Sequence, residues 1–195
     1  SQSELGAAAV EYAERGWCVF PLTPGTKIPL KGSAGLKDAC NDPATVREWW
    51  TQNPTANIGL HLARSGLVAI DPDTYKPECA WLSFIQDKEI PATLEQSKPR
   101  GGRHFIFKAP PAAKYPGELC AATDLKHNGY ILLEPSVVGG KPYRFETDDA
   151  PAPCPDWVPL KRGGKGDGNG KTDEPASDSK VNGTQKMMVI AALKR

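Results

Sequence analysis

Apolar residues recur along the chain with two different periods, and the switches between them outline its elements. Leu5, Ala8, Ala9, Tyr12 and Ala13 fall three or four apart, as one face of a helix does, and Gly16 stands where a C-terminal cap belongs. The next stretch, WCVFPL at 17–22, is short and almost wholly apolar, which predicts a strand. Asp42-Pro43 predicts the start of a second helix, with the aspartate as N-cap, the proline at the first helical position, and Val46, Trp49 and Trp50 on the apolar face. The tryptophan pair is read as core packing rather than base stacking, because large aromatics at helical spacing usually face a core. ANIGLHL (56–62), SGLVAID (65–71), RHFIF (103–107) and GYILL (129–133) predict further strands, with a helix around 80–86 and a Pro-rich connection at 109–116. Strands joined mostly by loops, with few helices and no regular βαβ winding, predict an α+β fold with a mixed or mainly antiparallel sheet.

The periodicity stops near Leu160, so residues 1–160 are expected to form one domain. Residues 161–182 are Gly-, Asp-, Ser- and Lys-rich and predict a flexible linker. Beyond them, Met187, Met188, Ile190, Ala191 and Leu193 follow a cap at Asn182 or Thr184, so 183–195 is expected to begin a helix of a further, helical domain. GDGNGKT in the linker ends like a phosphate-binding loop, but that motif needs glycine at the position of Lys165, and no apolar strand feeds it.

Charge changes the picture modestly. The formal net charge is +1, yet residues 1–160 carry 16 Lys+Arg against 19 Asp+Glu, and the tail carries 8 against 4. An acidic body does not offer a general surface for nucleic acid, so a polyanion would need a local basic patch or bound metal. Five scattered cysteines without a Cys-x-x-Cys pair predict neither a disulfide framework nor a structural zinc site. No apolar run approaches the roughly 20 residues that span a bilayer, and the first residues lack the basic lead and apolar centre of a signal peptide. A cytoplasmic protein with reduced thiols and no membrane partner is expected.

Candidate chemistry begins in LVAIDPDTY, residues 67–75. Side chains two apart on a strand share a face, so Asp71 and Asp73 would present adjacent carboxylates where the strand ends, and Pro72 keeps them at an end or edge. Asp-Pro-Asp-Thr is also good turn composition, and the stretch by itself leaves turn and metal site both open. Two neighbouring anions repel unless a cation compensates, and a hard divalent ion such as Mg²⁺ or Mn²⁺ is a natural partner. A calcium loop is excluded, because Tyr75 and Lys76 occupy positions that it needs for a ligand and a glycine. SKPRGGRHFIF, 97–107, joins a Gly-rich turn carrying Lys98, Arg100 and Arg103 to a strand with His104. The loop at 24–32 adds Lys27 and Lys31. In TDLKHNGYILLEPS, 123–136, Asp124 is expected to precede a turn and a strand ending at Glu134-Pro135-Ser136; it would complete a three-carboxylate site or serve as a turn or cap residue. Three acids, a histidine and a basic glycine turn suit two-metal phosphoryl transfer. From chemistry alone, a metal-dependent Asp-x-Asp glycosyltransferase and a non-catalytic single-strand-binding module stay in contention.

The segments GWCVFPLTPGTKIPLKG, WWTQNPTANIGL, SGLVAIDPD, GGRHFIF, DLKHNGYILLEPS and PAPCPDWV, in that order, resemble the N-terminal catalytic domain of bifunctional DNA primase-polymerases. That family belongs to the archaeo-eukaryotic primase superfamily of phages, plasmids and integrated elements. The resemblance spans roughly residues 5–160. It implies an RRM-like sheet with an additional N-terminal α/β unit, and a template-directed polymerase that extends strands in DNA replication and is a candidate for initiating them. Its acidic motif falls on Asp71 and Asp73, its small-x-His motif on Gly102, Arg103 and His104, and its later acid on Asp124. By resemblance, Asp71, Asp73 and Asp124 would hold two ions, Mg²⁺ or Mn²⁺, and His104 would contact the phosphates of a dNTP or NTP. Arg103 and Lys27 are further candidates for triphosphate or template contacts, Gly102 for close approach to the nucleotide, and Ser136 for lining its pocket. The resemblance also implies a single-stranded template, a primer, and C-terminal helical primase-associated and helicase regions. Glu134 departs from the family pattern, and the zinc-binding stem of some relatives has no counterpart in this sequence.

Overall fold

The protein is described by a computed structural model covering residues 2–161. All but the first residue of the expected linker, and the expected helix at 183–195, lie outside the described residues.

Helix α1, Glu4–Glu14, starts where the Ser3 hydroxyl accepts from the Gly6 N–H, and α2, Pro43–Gln52, where the Asp42 carboxylate accepts from Thr45 N–H. Strands β1 (Val19–Leu22), β2 (Asn57–His61) and β3 (Leu67–Pro72) are followed by the short helix α3, Trp81–Ile85. Then come β4 (Leu94–Ser97), β5 (Arg103–Lys108), β6 (Glu118–Cys120), β7 (Thr123–Lys126) and β8 (Tyr130–Leu133). Four two-residue strands complete the described chain: β9 (Val137–Val138), β10 (Lys141–Pro142), β11 (Arg144–Phe145) and β12 (Ala152–Pro153).

A smaller antiparallel sheet has the order β1-β2-β8, and a larger one the order β11-β4-β5-β3-β7-β6, with β12 added parallel to β5. The fold is therefore α+β with mainly antiparallel sheets. One core cluster joins α1, α2 and the smaller sheet to one face of the larger sheet, through residues such as Val46, Trp50, Ile58, Leu60, Ala69 and Ile106. A second cluster, with Val68, Ile70, Phe107, Trp81 and Val158, covers the opposite face. Strand β3 is thus buried on both sides, which is why its first four residues are continuously apolar. Trp50 is buried and donates its indole N–H to the Ala56 carbonyl at 2.9 Å, so it is core rather than a stacking surface.

The structure differs from expectation in the polar strands. Asp124 is neither a turn nor a cap residue: it lies within β7, directly opposite Asp71 of β3, and the turn expected after it follows at 127–129. Strand β4, LEQS, also escaped the apolar pattern, because its buried Gln96 is polar and satisfied by hydrogen bonds.

Candidate functional site

Leu67, Ala69 and Asp71 of β3 project to one face, and Asp71 is the last of them before the chain leaves the sheet. The strand has neighbours on both sides, β5 bearing His104 and β7 bearing Asp124, so its end collects chemistry from three strands. Beyond Pro72, the Asp73 N–H donates to the Ala122 carbonyl at 2.9 Å, which anchors the second carboxylate beside the first.

Both carboxylates converge on one cation. The Lys98 ammonium donates to Asp71 Oδ1 at 2.5 Å, to the Pro72 carbonyl at 2.9 Å and to Asp73 Oδ1 at 3.2 Å, with only 9% of its side chain exposed. The turn between β4 and β5 delivers this lysine. Gly102 in that turn has φ +75°, and a Cβ there would lie 2.8 Å from Thr74 Oγ1 and 2.9 Å from the Pro72 carbonyl. Glycine is required for the left-handed backbone and for the close approach, which seats the turn directly on residues 72–74. Burial alone would raise the Asp71 carboxyl, but the hydrogen bond from His104 together with the charge and hydrogen bond of Lys98 outweighs it and holds the group well below the usual carboxylate range. Asp73 is lowered as well: burial opposes ionisation, and hydrogen bonds from Lys76 and Lys98 overcome it.

His104 is buried, with Nε2 3.4 Å from Asp71 Oδ1. Burial pushes its pKa down, so it is a neutral imidazole at neutral pH. Gln96 fixes which nitrogen carries the proton. Its Oε1 accepts from Glu134 N–H at 2.9 Å, so its Nε2 is the donor, to the Leu132 carbonyl at 2.8 Å and to His104 Nδ1 at 3.1 Å. His104 Nδ1 is then the acceptor and Nε2–H points to Asp71. Tyr143 stacks on the imidazole with ring centroids 6.1 Å apart, and burial first, then the Asp71 charge, pushes its hydroxyl up to about 12.

Asp71, Asp73, Lys98, His104 and Tyr143 line one cleft together with Lys27, Tyr75, Arg100 and Val138. The Arg100 guanidinium lies over the Tyr75 ring, 4.8 Å from its centroid, at the exposed rim. A larger cavity bounded by Tyr115, Lys126 and His127 holds no carboxylate pair.

Of the residues singled out from sequence, Asp71, Asp73, His104 and Lys27 come together in this cleft. Asp124 faces the same side of the sheet as Asp71, since directly paired residues share a face, but its carboxylate accepts from Lys126 at 2.6 Å and is half exposed. Arg103 turns to the opposite face from His104, as strand alternation requires, and pairs with Glu95 at 2.6 Å. Ser136 is fully buried with its hydroxyl accepting from the Ile58 N–H at 2.8 Å. Glu134 is engaged too, its carboxylate accepting from the Phe145 N–H at 2.6 Å. Gly102 meets the chain's own 72–74 segment. Lys98, Gln96 and Tyr143 went unassigned, because each acts through a contact distant in sequence.

Among the described residues, no three His, Cys, Asp or Glu side chains form a group able to hold a metal ion. Two carboxylates and a main-chain carbonyl nevertheless surround a single cation, and an all-oxygen donor set of that kind suits a hard divalent ion. No helix among the described residues is long and apolar enough to cross a membrane.

A family model described as bifunctional DNA primase/polymerase, N-terminal, matches residues 9–157, a span that contains every cleft residue named above. A search of curated proteins found no match to the chain.

Proposed function

Since the chain belongs to the family of bifunctional DNA primase/polymerase N-terminal domains, we propose that the cleft at the end of β3 is a nucleotidyltransferase centre that adds nucleotides to the 3′ hydroxyl of a templated DNA strand. In this reaction the 3′ oxygen bonds to the α-phosphorus of a dNTP or NTP, pyrophosphate departs, and the hydroxyl proton is lost. The convergence of Asp71 and Asp73 on one cation carries this reading, because a phosphoryl-transfer site needs fixed carboxylates that neutralise positive charge beside a polyanion.

Asp71 and Asp73 would hold divalent ions, Mg²⁺ or Mn²⁺, which when bound supply Lewis-acid stabilisation of the developing charge. We assign Asp124 as the third ligand: it shares a face with Asp71 and is half exposed, so a side-chain rotation away from Lys126 would bring it inward. His104, held as the Nε2–H tautomer by Gln96, orients Asp71 and offers its N–H toward the cleft. Lys27 and Arg100 on the walls attract the triphosphate. The larger sheet would serve as the RRM-like platform of this family, with a helical primase-associated region following the linker. A role in replication of a phage, plasmid or other mobile element follows from the same family setting.

The test is primer extension on a single-stranded template with labelled dNTPs and Mn²⁺. Templated products are expected, and Asp71→Asn with Asp73→Asn should reduce their rate by about 100-fold or more. Undiminished extension by that double variant would refute the site. Turnover of a nucleotide sugar without DNA would favour a glycosyltransferase instead, and DNA binding indifferent to chelator without turnover would favour a binding module.

A further inference from the structure

Lys98 occupies the point on which the two carboxylates converge. We propose that it is a resident counter-ion of the Asp71–Asp73 pair that must be displaced for a divalent ion to bind, which couples metal loading to arrival of the nucleotide. The proposal rests on the reading of Asp71 and Asp73 as metal ligands.

Three observations carry it. The ammonium is held by three oxygens at once, Asp71 Oδ1, the Pro72 carbonyl and Asp73 Oδ1, and no other cation touches both carboxylates among the described residues. Its side chain is 9% exposed, so little water screens its charge from an incoming ion. It is also delivered by a rigid route: Gly102 seats the turn on residues 72–74, and the Lys98 N–H donates to the Gly102 carbonyl at 3.1 Å.

Without a cation between them, Asp71 and Asp73 would repel and splay. Lys98 therefore keeps the metal-free pair assembled, and for the same reason opposes a dication at the same oxygens. Once displaced, its ammonium enters the cleft that Lys27 and Arg100 also line. A triphosphate there supplies the negative charge that receives it. Metal and nucleotide then favour each other's binding.

Mn²⁺ alone is the probe, titrated into chelator-stripped protein and followed by the electron paramagnetic resonance signal of the free ion. Lys98→Met should bind Mn²⁺ at least about tenfold more tightly than the native chain, because a buried positive charge has been removed from the ligands. Arg100→Met removes a cation of the same cleft that touches neither carboxylate, and should change affinity by less than about twofold. Adding Asp71→Asn to Lys98→Met should abolish the tight binding. Equal Mn²⁺ affinity in Lys98→Met and the native chain would overturn the exchange while leaving the metal site standing. Absence of binding in both would overturn the exchange and the metal site together. A measurement on the native chain decides the matter if Lys98→Met does not fold: in a brief pulse of an amine-acetylating reagent, the modified fraction at Lys98, read by mass spectrometry, should rise several-fold with Mn²⁺. An unchanged or lower fraction would refute displacement.

Discussion

Gln96 shows how one buried amide can govern a catalytic-looking histidine. It bonds Glu134 N–H, the Leu132 carbonyl and His104 Nδ1, and so ties β4, β5 and the end of β8 to the orientation of a single ring. Gln96→Leu leaves three buried groups without partners and should destabilise the fold by about 2–4 kcal/mol in urea denaturation. If His104 needs its tautomer fixed, Gln96→Glu should retain most of the stability but shift the pH profile of extension, which a purely structural role would not do. Asp71 makes a different prediction. Its carboxyl is held well below the ordinary value in the folded chain, so its ionisation favours folding fully above the unfolded value of about 4, and that stabilisation is lost progressively as pH falls from there through the lowered folded value. In the presence of chelator, the native chain should therefore melt higher than Asp71→Asn at pH 7, and the gap should close as the pH drops from about 4 toward 2. A gap that widened in acid would contradict the assignment.

At the scale of elements, the β4–β5 hairpin is the part whose position matters most. Its turn rests on residues 72–74 through Gly102, where both the φ of +75° and the 2.9 Å approach to the Pro72 carbonyl exclude a side chain. Gly102→Ala should cost about 1–3 kcal/mol from strain and overlap, and the loss should be accompanied by tighter divalent-ion binding, since the turn also delivers the competing Lys98. Thermal melting together with Mn²⁺ titration would check both. Much of this was legible in the chain. The apolar runs at β2, β3, β5 and β8 announced themselves, as did the two capped helices, and Asp71 and His104 stood at strand positions on one face, with Asp73 just past the end of β3. What was not legible depended on polar strands and distant partners. Strand β4 has three polar residues in four, and β9 to β12 are two residues each, too short to show a period. Lys98 could be recognised as a cation of a glycine turn, but its partners 25 and 27 residues away are set by the packing of that turn on the end of β3. Arg103 is the instructive case: it adjoins His104 in sequence, and adjacency on a strand is what sends it to the other face.

For the whole molecule, the distribution of charge is as informative as any motif. Residues 1–160 are net acidic, and the cations facing the cleft are few: Lys27, Arg100 and the already engaged Lys98. Binding of single-stranded DNA in chelator should accordingly be weak, with a shallow dependence on salt, near a log–log slope of about −2 for three phosphates neutralised. Fluorescence anisotropy of a labelled oligonucleotide across a salt series would measure it. A slope several times steeper would mean that a basic surface outside the cleft dominates. The direct pairing of Asp71 with Asp124 across β3 and β7 has a consequence of another kind. Spacing in this region is under tighter constraint than spelling: a conservative exchange in β7 leaves each side chain on its face, whereas deletion of one residue turns the strand's whole pattern over and carries Asp124 away from its counterpart. The lengths of these strands should therefore tolerate less change than their composition does.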